Sequence, residues 1–415
     1  MALTRVLMQL RPIAASLRRH KVATLLIVLQ VALTLAVASN ALFIVVTRVV
    51  HVSRATGTDE AHLFAIRNAW TEGQNAAQID ANIRADLASL RQVPGVRDAF
   101  SSHAYPLEGE GALAAGVKLT PEQTTRPTLA SIYHADEHAI GTFGTSLIAG
   151  RNFSADEIGT IGPNDTARPA TVIITRSLAD RLFPEGAALG KTVYPSDKPA
   201  TIIGILDNLQ STYSFTRTLD NDTVLFPARW VDPDGVVYLV RTQGTDLKPV
   251  IAASLKALQE RGGIRLIDPD TGVETIAQAR ERAYATDRSV ATLLAIVCSL
   301  LLLATAGGIV GLSSFWVSQR RKQIGIRRSL GATSGDILRY FHAENFLIVT
   351  AGVVLGIGLA FLANIGLMSV FPLPAMPLFV PVLGALLLWL LGQLAVWGPA
   401  RYAAKVSPVV AIRTA

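Results

Sequence analysis

Four long apolar stretches constrain this chain more than any other feature of its sequence. Each is near or above the roughly 20 residues that a helix needs to cross about 30 Å of hydrocarbon, and none contains a charged side chain. The second holds 14 Val, Ile, Leu or Phe residues, which favour insertion by roughly 0.3 to 0.6 kcal/mol each. Four transmembrane helices are predicted, in the windows Val22 to Val46, Val290 to Val317, Asn345 to Phe371 and Leu378 to Gly398.

The first window shares two features with a signal peptide, because Arg18, Arg19 and Lys21 precede it and Ala-Val-Ala at 36–38, within it, resembles a cleavage site. Its apolar run of about 25 residues is longer than the 7 to 15 that are typical of a signal peptide, so we expect a retained helix. The segment at 1–21 mixes apolar and basic residues and predicts an amphipathic helix on the inner membrane surface.

The distribution of basic residues predicts the orientation in the membrane. The segments before the first window, between the second and third, and after the fourth contain 14 Lys and Arg but one acid, Asp336, apart from Glu344 at the membrane edge. Because Lys and Arg concentrate in cytoplasmic loops, both termini are predicted inside and residues 49–286 in the periplasm of an inner-membrane, multi-pass protein. The net charge of +7 therefore indicates topology and contact with membrane lipid headgroups, and nucleic acid is not an expected partner.

The predicted periplasmic segment contains a weak internal repeat. One apolar spacing occurs twice, as Ile83, Leu87, Leu90 and Val96 and again as Ile251, Leu255, Leu258 and Ile264. Each set follows a strand-like run, which favours two β-α-β units whose helices cover one sheet, although chance matching is an alternative. We predict an α+β domain of two subdomains, with a split β-α-β part at about 60–100 and 232–270 and an inserted part at about 101–231.

Two motifs of the inserted part resemble functional sites only superficially. Gly186 and Gly190 are separated by three residues, whereas a phosphate-binding loop needs four. The run from His134 to His138 holds two imidazoles and two carboxylates, but Pro and Gly nearby favour a polar turn over the fixed geometry of a zinc site. We therefore predict no catalytic residue, no metal and no cofactor bound by this chain.

Polar and small residues within the apolar windows predict helix packing. Asn40 is expected to form an interhelical hydrogen bond, with a role in lining a transport path as the alternative. Gly352 and Gly356 form a small-xxx-small pattern that lets two helices approach closely. No ionisable group lies within the windows, so the chain lacks the membrane-embedded charged residues that ion-driven transporters commonly use to bind or relay ions.

The connector at 319–341 is the most distinctive segment. Gly331 is predicted to end one helical turn, and Thr333 to cap the next helix with Asp336 in a capping-box position. The resulting short helix would present an apolar side for docking into another protein, made of Ile337, Leu338 and Phe341. The alternative is a basic interfacial helix that only sets topology.

This connector resembles that of the MacB/FtsX (type VII) family of ABC transporter permeases. The family form R-R-x-E-I-G-I-R-R-A-L-G-A is similar to RRKQIGIRRSLGA at 320–332, with Gln323 in place of Glu and Ser329 in place of Ala. Further stretches are similar to the family in the same order: Ala14 to Leu35, Gly150 to Phe153, Val172 to Phe183, Leu189 to Thr192, Pro399 to Arg401 and Ser407 to Arg413.

The resemblance implies a stand-alone permease without a fused ATPase, which is not itself an enzyme. Its expected partners are a cytoplasmic ABC ATPase that binds ATP, a second copy or a paralogous permease, and a periplasmic membrane-fusion adaptor in some systems. The two periplasmic subdomains would correspond to the Porter-like and Sabre-like parts of the family. The residues expected to contact the ATPase are Gly325, Arg327, Arg328, Gly331, Ala332, Thr333, Asp336, Ile337, Leu338 and Phe341.

The function that the resemblance implies is mechanotransmission, in which ATP hydrolysis by the partner reshapes the periplasmic domain. The outcome would be efflux or extraction of a peptide, antibiotic, lipid or lipoprotein. The alternative is an FtsX-like regulatory module that controls a periplasmic partner without transport. The expected segments are a cytoplasmic helix at 1–21, transmembrane helices at 22–48, 287–317, 342–371 and 378–398, a periplasmic domain at 49–286, a coupling segment at 318–341 and a cytoplasmic tail at 399–415.

Overall fold

The computed structural model describes residues 21–70, 74–109, 113–213, 219, 221–262, 265–370 and 374–405. The chain divides into two compact units, which we call the membrane unit (Met1–Val52 and Asp287–Ala415) and the outer unit (Ser53–Thr286). The helix predicted at 1–21 lies outside the described residues except for Lys21, and so does the tail after Lys405.

The helices and strands are numbered in chain order. The helices are α1 (Lys21–Val52), α2 (Ala76–Gln92), α3 (Ala139–Phe143), α4 (Arg176–Leu182), α5 (Leu247–Glu260), α6 (Ile276–Ala283), α7 (Ala285–Gln319), α8 (Arg321–Ser329), α9 (Ser334–Val370) and α10 (Phe379–Ala404). The strands are β1 (Leu63–Trp70), β2 (Val96–Ser102), β3 (Leu113–Val117), β4 (Thr128–Ala135), β5 (Leu147–Gly150), β6 (Gly159–Ile161), β7 (Thr171–Thr175), β8 (Thr192–Val193), β9 (Ala200–Leu206), β10 (Thr223–Trp230), β11 (Val236–Thr242), β12 (Arg265–Leu266) and β13 (Val273–Thr275).

In the described part of the membrane unit, four helices are long and apolar enough to cross a bilayer: α1, α7, α9 and α10. This confirms the prediction of four transmembrane helices. Leu35 of α1, Val349 of α9 and Leu388 of α10 are buried in one apolar cluster, so these three helices share a core. Only 11% of the most apolar part of α7 is buried, compared with 33–39% in the other three, so α7 leaves most of its surface for lipid or a partner.

The first sheet of the outer unit has the strand order β12-β1-β11-β2, and all its neighbours are antiparallel. Its two β-α-β units, β1-α2-β2 and β11-α5-β12, interleave, because β11 lies between β1 and β2. The helices bury apolar residues against the sheet, including Ile83 and Leu87 of α2 and Leu258 of α5. The interleaved order is the split β-α-β arrangement, and it confirms the predicted α+β class.

The second sheet is formed by the segment between β2 and β11. Its order is β3-β4-β10-β7-β9-β5, with β6 beside β10 and β8 beside β9. The pairs β4–β10 and β7–β9 are parallel, and β3–β4 and β7–β10 are antiparallel. A bridge between Lys118 and Tyr194 links the residue after β3 to the residue after β8. An apolar core of this part of the outer unit includes Ile174, Ile202 and Phe226.

Candidate functional site

The connector between α7 and α9 is a helix followed by a tight turn. Gly331 ends α8 with a φ of +97°, a left-handed conformation that glycine adopts at little cost. Its N–H donates to the carbonyl of Arg328 at 3.1 Å, and the N–H of Ala332 donates to the carbonyl of Arg327 at 3.0 Å. These two bonds form a Schellman cap, which fixes the direction in which the chain leaves α8.

Thr333 and Asp336 cap the start of α9 reciprocally. The backbone N–H of Asp336 donates to Thr333 Oγ1 at 3.2 Å, and both the N–H and the hydroxyl of Thr333 donate to Asp336 Oδ2, at 3.1 and 2.6 Å. This arrangement satisfies donors that a helix N-terminus otherwise leaves unpaired. The turn is therefore held rigidly from both of its sides.

The structure corrects the prediction of a separate short helix with an apolar docking side. The segment after Thr333 is the first part of α9, which continues without a break to Val370. Ile337 and Phe341 are buried in the core of the membrane unit, in one cluster with Ala403. They face inward because the end of α10 covers them, and the Ser334 hydroxyl donates to the Ala404 carbonyl at 3.1 Å.

The predicted coupling residues consequently divide into three groups. Gly325, Ile337 and Phe341 are buried; Arg328, Ala332 and Leu338 are half-buried; Arg327, Gly331, Thr333 and Asp336 are exposed. The exposed apolar residues of this segment are two that the sequence analysis did not select, Leu330 at 82% exposure and Ile326 at 47%. The surface available to a partner is therefore the tip of the turn, which we call the connector tip: Ile326, Arg327, Leu330, Gly331, Thr333 and Asp336.

A buried ion pair holds the base of the connector. Arg320 Nη1 donates to both carboxylate oxygens of Glu344, at 3.0 and 2.9 Å, and Glu344 is 2% exposed. The guanidinium of Arg320 also lies 5.7 Å from the ring centroid of Trp316. Sequence reasoning missed this pair, although one signal was present: Glu344 directly precedes an apolar window.

The predicted packing residues lie where α1 contacts α9. Asn40 Nδ2 donates across the helix pair to the carbonyl of Ala360 at 3.0 Å. A Cβ on Gly352 would lie 2.7 Å from Val31 Cβ, and one on Gly356 would lie 2.9 Å from Leu35 Cβ. Only glycine permits this close approach of the two backbones.

The structure does not bring His134 and His138 together. His134 stacks on Trp230 with ring centroids 5.1 Å apart, and its Nδ1 lies 3.0 Å from Nδ1 of His103. His138 instead contacts Asp98, at 2.9 Å. Among the described residues, no group of three or more His, Cys, Asp or Glu could hold a metal ion.

The histidine pair is nevertheless an unusual environment. Burial lowers the pKa of His134 to about 4, and burial together with the neighbouring ring lowers the pKa of His103 well below its ordinary value. Burial thus favours the neutral form of both rings, and the Nδ1–H of one ring donates a hydrogen bond to the Nδ1 of the other.

The glycine pair that resembles a phosphate-binding loop forms a turn between α4 and β8. Gly190 has a φ of +77°, and its N–H donates to the Ile202 carbonyl at 2.8 Å. Thr192 begins a strand, whereas a phosphate-binding loop leads into a helix. The local structure therefore lacks the feature that such a loop requires.

A charged network in the outer unit was also not predicted. Arg67 contacts Glu108 at 2.9 Å and donates to the Tyr105 hydroxyl at 2.8 Å, and that hydroxyl donates to Glu274 at 2.5 Å. Burial raises the pKa of Glu108 to about 7, opposed by the Arg67 guanidinium. Arg282 of α6 completes the network by pairing with Glu274 at 2.8 Å.

The helix that directly precedes α7 is anchored within the outer unit. Only Tyr284 separates α6 from α7 in the chain, and the Tyr284 hydroxyl accepts a hydrogen bond from Gln210 at 2.6 Å. Arg280 forms an ion pair with Glu60. With Arg282 paired to Glu274, α6 and Tyr284 together contact three other segments of the outer unit.

Two protein-family profiles match this chain. The MacB-like periplasmic core domain matches residues 25–258, which is more than half of the chain, and the FtsX-like permease C-terminal region matches residues 295–408. Together they match residues of both units.

Individual relatives are distant in sequence. The chain is 25% identical over 343 residues to the macrolide export ATP-binding/permease protein MacB of Chromobacterium violaceum, an alignment that covers 77% of this chain and 49% of that protein. It is 23% identical over 346 residues to the ABC transporter permease YknZ of Bacillus subtilis, covering 82% of this chain and 81% of YknZ. The chain thus spans about half the length of that MacB.

Two solved structures are similar to the outer part of the chain at low scores. The first is the extracellular domain of YknZ, with 14% identity, coverage of 49% of this chain and 98% of that one, and a TM-score of 0.31. The periplasmic region of MacB from Actinobacillus actinomycetemcomitans has 13% identity, coverage of 55% and 94%, and a TM-score of 0.33.

Proposed function

This chain belongs to the family of ABC transporter permeases with a MacB-like periplasmic core domain and an FtsX-like C-terminal region, and from that premise we propose that it transmits force from a cytoplasmic ATPase to its outer unit. The ATPase would bind and hydrolyse ATP and would contact the connector tip. The permease itself would contribute no chemistry, only a mechanical path through the membrane.

The continuity of α9 carries this proposal. The helix has 37 residues, about 55 Å at 1.5 Å per residue, and it begins at the capped turn of the connector. An unbroken helix transfers a displacement at one end to the other, whereas a flexible loop would absorb it. The buried Arg320–Glu344 pair would make the end of α7 follow the same displacement.

On the far side of the membrane, α6 offers the matching connection. Because α6 precedes α7 by one residue and is ion-paired to Glu60 and Glu274, a pull on α7 would load the outer unit at several points. We propose efflux or extraction of an amphipathic cargo, such as a peptide, an antibiotic, a lipid or a lipoprotein, as the outcome. The competing outcome is control of a periplasmic partner without transport.

The test begins with isolation of the tagged full chain from its own cells and identification of any ATPase that co-purifies. The complex is placed in lipid nanodiscs, and hydrogen exchange of the outer unit is compared without nucleotide and after trapping with ATP and vanadate. Force transmission predicts altered exchange around α6 in the trapped state. A complex without an ATPase, or identical exchange in both states, would contradict the proposal.

A cargo assay separates the two outcomes. Cells that lack this gene should accumulate or mislocalise an antibiotic, peptide or lipoprotein if the complex transports it. Unchanged handling of all these compounds, together with a periplasmic hydrolase whose activity requires the complex, would favour the regulatory alternative.

A further inference from the structure

A groove in the membrane unit opens between the last turns of α7 and the last turns of α10. It has a volume of about 340 Å³, and its walls include Val310, Gly398 and Pro399, with Arg321 and Tyr402 at one end. The part of α7 that lines it, from Val310 to the end of the helix, is about 14 Å long at 1.5 Å per residue. That length is close to the hydrocarbon thickness of one leaflet, about half of 30 Å.

The polar end of this groove carries a fixed cation. Arg321 Nη2 donates to the Tyr402 hydroxyl at 2.6 Å, and the guanidinium lies 5.3 Å from the centroid of the same ring. Among the described residues, no carboxylate forms an ion pair with Arg321, whereas the adjacent Arg320 is paired with Glu344. Arg321 is therefore positioned at the groove with most of its five N–H donors available.

The surroundings favour an anion. In the described parts of 318–344 and 399–405, eight Lys and Arg accompany only two acids, Asp336 and Glu344. Basic sites between transmembrane helices at the cytoplasmic side recognise anionic lipid headgroups. The apolar walls distinguish this groove from a site for a soluble anion, because an inorganic ion would leave them uncovered.

We propose that the groove binds one anionic phospholipid, with its phosphate on Arg321 and one acyl chain along Val310 and Pro399. The lipid would complete the surface between the ends of α7 and α10, where the two helices leave a gap. This binding is independent of the proposed transport cycle, since it needs neither ATP nor a cargo.

The test is native mass spectrometry of the full chain in detergent, titrated with phosphatidylglycerol or phosphatidylcholine. Wild type should retain phosphatidylglycerol preferentially. Arg321→Gln should lower its affinity roughly tenfold, the equivalent of one charged hydrogen-bonded contact, and should abolish the preference. Gly398→Leu should weaken binding of both lipids, because the new side chain would fill the groove.

Matched controls keep the test specific. A Cβ on Gly398 or on Gly311 meets no atom within 4 Å, so Gly311→Leu adds the same bulk on α7 outside the groove and should bind like wild type. Lys322→Gln removes one exposed charge beside the groove and should also bind like wild type.

Three results would overturn the proposal. Equal losses in Lys322→Gln and Arg321→Gln would indicate diffuse charge attraction. Displacement of the lipid by inorganic phosphate alone would indicate a soluble anion site. A Gly398→Leu protein with unchanged lipid binding but altered dimerisation would assign the groove to a second copy of this chain.

Discussion

Arg320 and Glu344 form a two-pronged ion pair across 24 positions of the chain, with both N–O distances at or below 3.0 Å. The pair joins the residue after α7 to the first half of α9, so the two helices that flank the connector are fixed to each other at its base. The Arg320 side chain is 12% exposed and the Glu344 side chain 2%. Neither charge can be left alone there without a large cost in solvation.

Replacement of Glu344 by Gln should therefore destabilise the protein. Breaking a buried pair by removing one partner costs roughly 3 to 5 kcal/mol, because the remaining charge stays buried. The expected result is a clear fall in the midpoint of thermal unfolding, measured on the full chain in detergent. Lys322→Gln removes an exposed charge from the connector and should leave the midpoint nearly unchanged.

Joint replacement of the pair, Arg320→Met with Glu344→Leu, should recover most of the lost stability, since apolar residues of similar size can substitute for a buried pair. If the joint variant were as unstable as Glu344→Gln, the loss would come from packing at this position and not from an unpaired charge.

Gly352 should tolerate no side chain. A Cβ there would lie 2.7 Å from Val31 Cβ, so Gly352→Ala forces α1 and α9 apart and should cost roughly 1 to 3 kcal/mol. Gly358→Ala, on the same helix, meets no atom within 4 Å and should be neutral or slightly stabilising, because alanine favours a helix more than glycine does. Equal unfolding midpoints for the two variants would show that the helices can separate without cost.

The sequence predicted the glycines and Asn40 because their signal is local. Small residues four apart and a polar residue in an apolar window can be recognised without knowledge of the partner helix. The two β-α-β units were recognisable for the same reason, since their apolar spacing repeats. Their interleaving could not be predicted in this way, because it depends on the pairing of β1 with β11, whose residues are about 175 positions apart in the chain.

The direction of Ile337 and Phe341 could not be predicted in this way. An apolar side at the start of a cytoplasmic helix fits a docking surface as well as an internal contact. The covering residues, including Ala403, come from the end of α10, more than 60 positions later. The ion pair of Arg320 was missed for a related reason, because Glu344 has an ordinary place at a membrane edge until the fold brings its partner to it.

The stability of the protein should decrease in acid partly through His134. The folded-state pKa is lowered to about 4 by burial, while the unfolded chain titrates near 6.5. Between these values the unfolded state binds more protons, so the contribution of His134 is present above pH 6.5 and is lost as the pH falls towards 4. His134→Gln should flatten the fall of the unfolding midpoint over this range.

Two carboxyl groups change the stability with pH in the opposite direction to His134, so the effect of His134 has to be measured as a difference between wild type and the His134→Gln variant. The pKa of Glu108 is raised to about 7 and that of Asp136 to about 6, mainly by burial. Their contribution is present at low pH and is lost as the pH rises through those values. An unchanged slope in the His134→Gln variant would contradict a specific role of His134.

The connector tip can be tested with two apolar residues that differ in burial. Leu330 is 82% exposed, so Leu330→Ser should leave the unfolding midpoint unchanged while weakening the contact with the ATPase by tenfold or more, as expected for an apolar anchor near the centre of an interface. Ile337 is 5% exposed, so Ile337→Ser should lower the unfolding midpoint, because it places a hydroxyl in the core of the membrane unit. The measurements are thermal unfolding of the full chain and ATP turnover of the reconstituted complex. Leu330 is the most exposed apolar residue of the connector tip. If the Leu330→Ser protein kept wild-type ATP turnover and wild-type affinity for the ATPase, the connector tip would not be the docking surface.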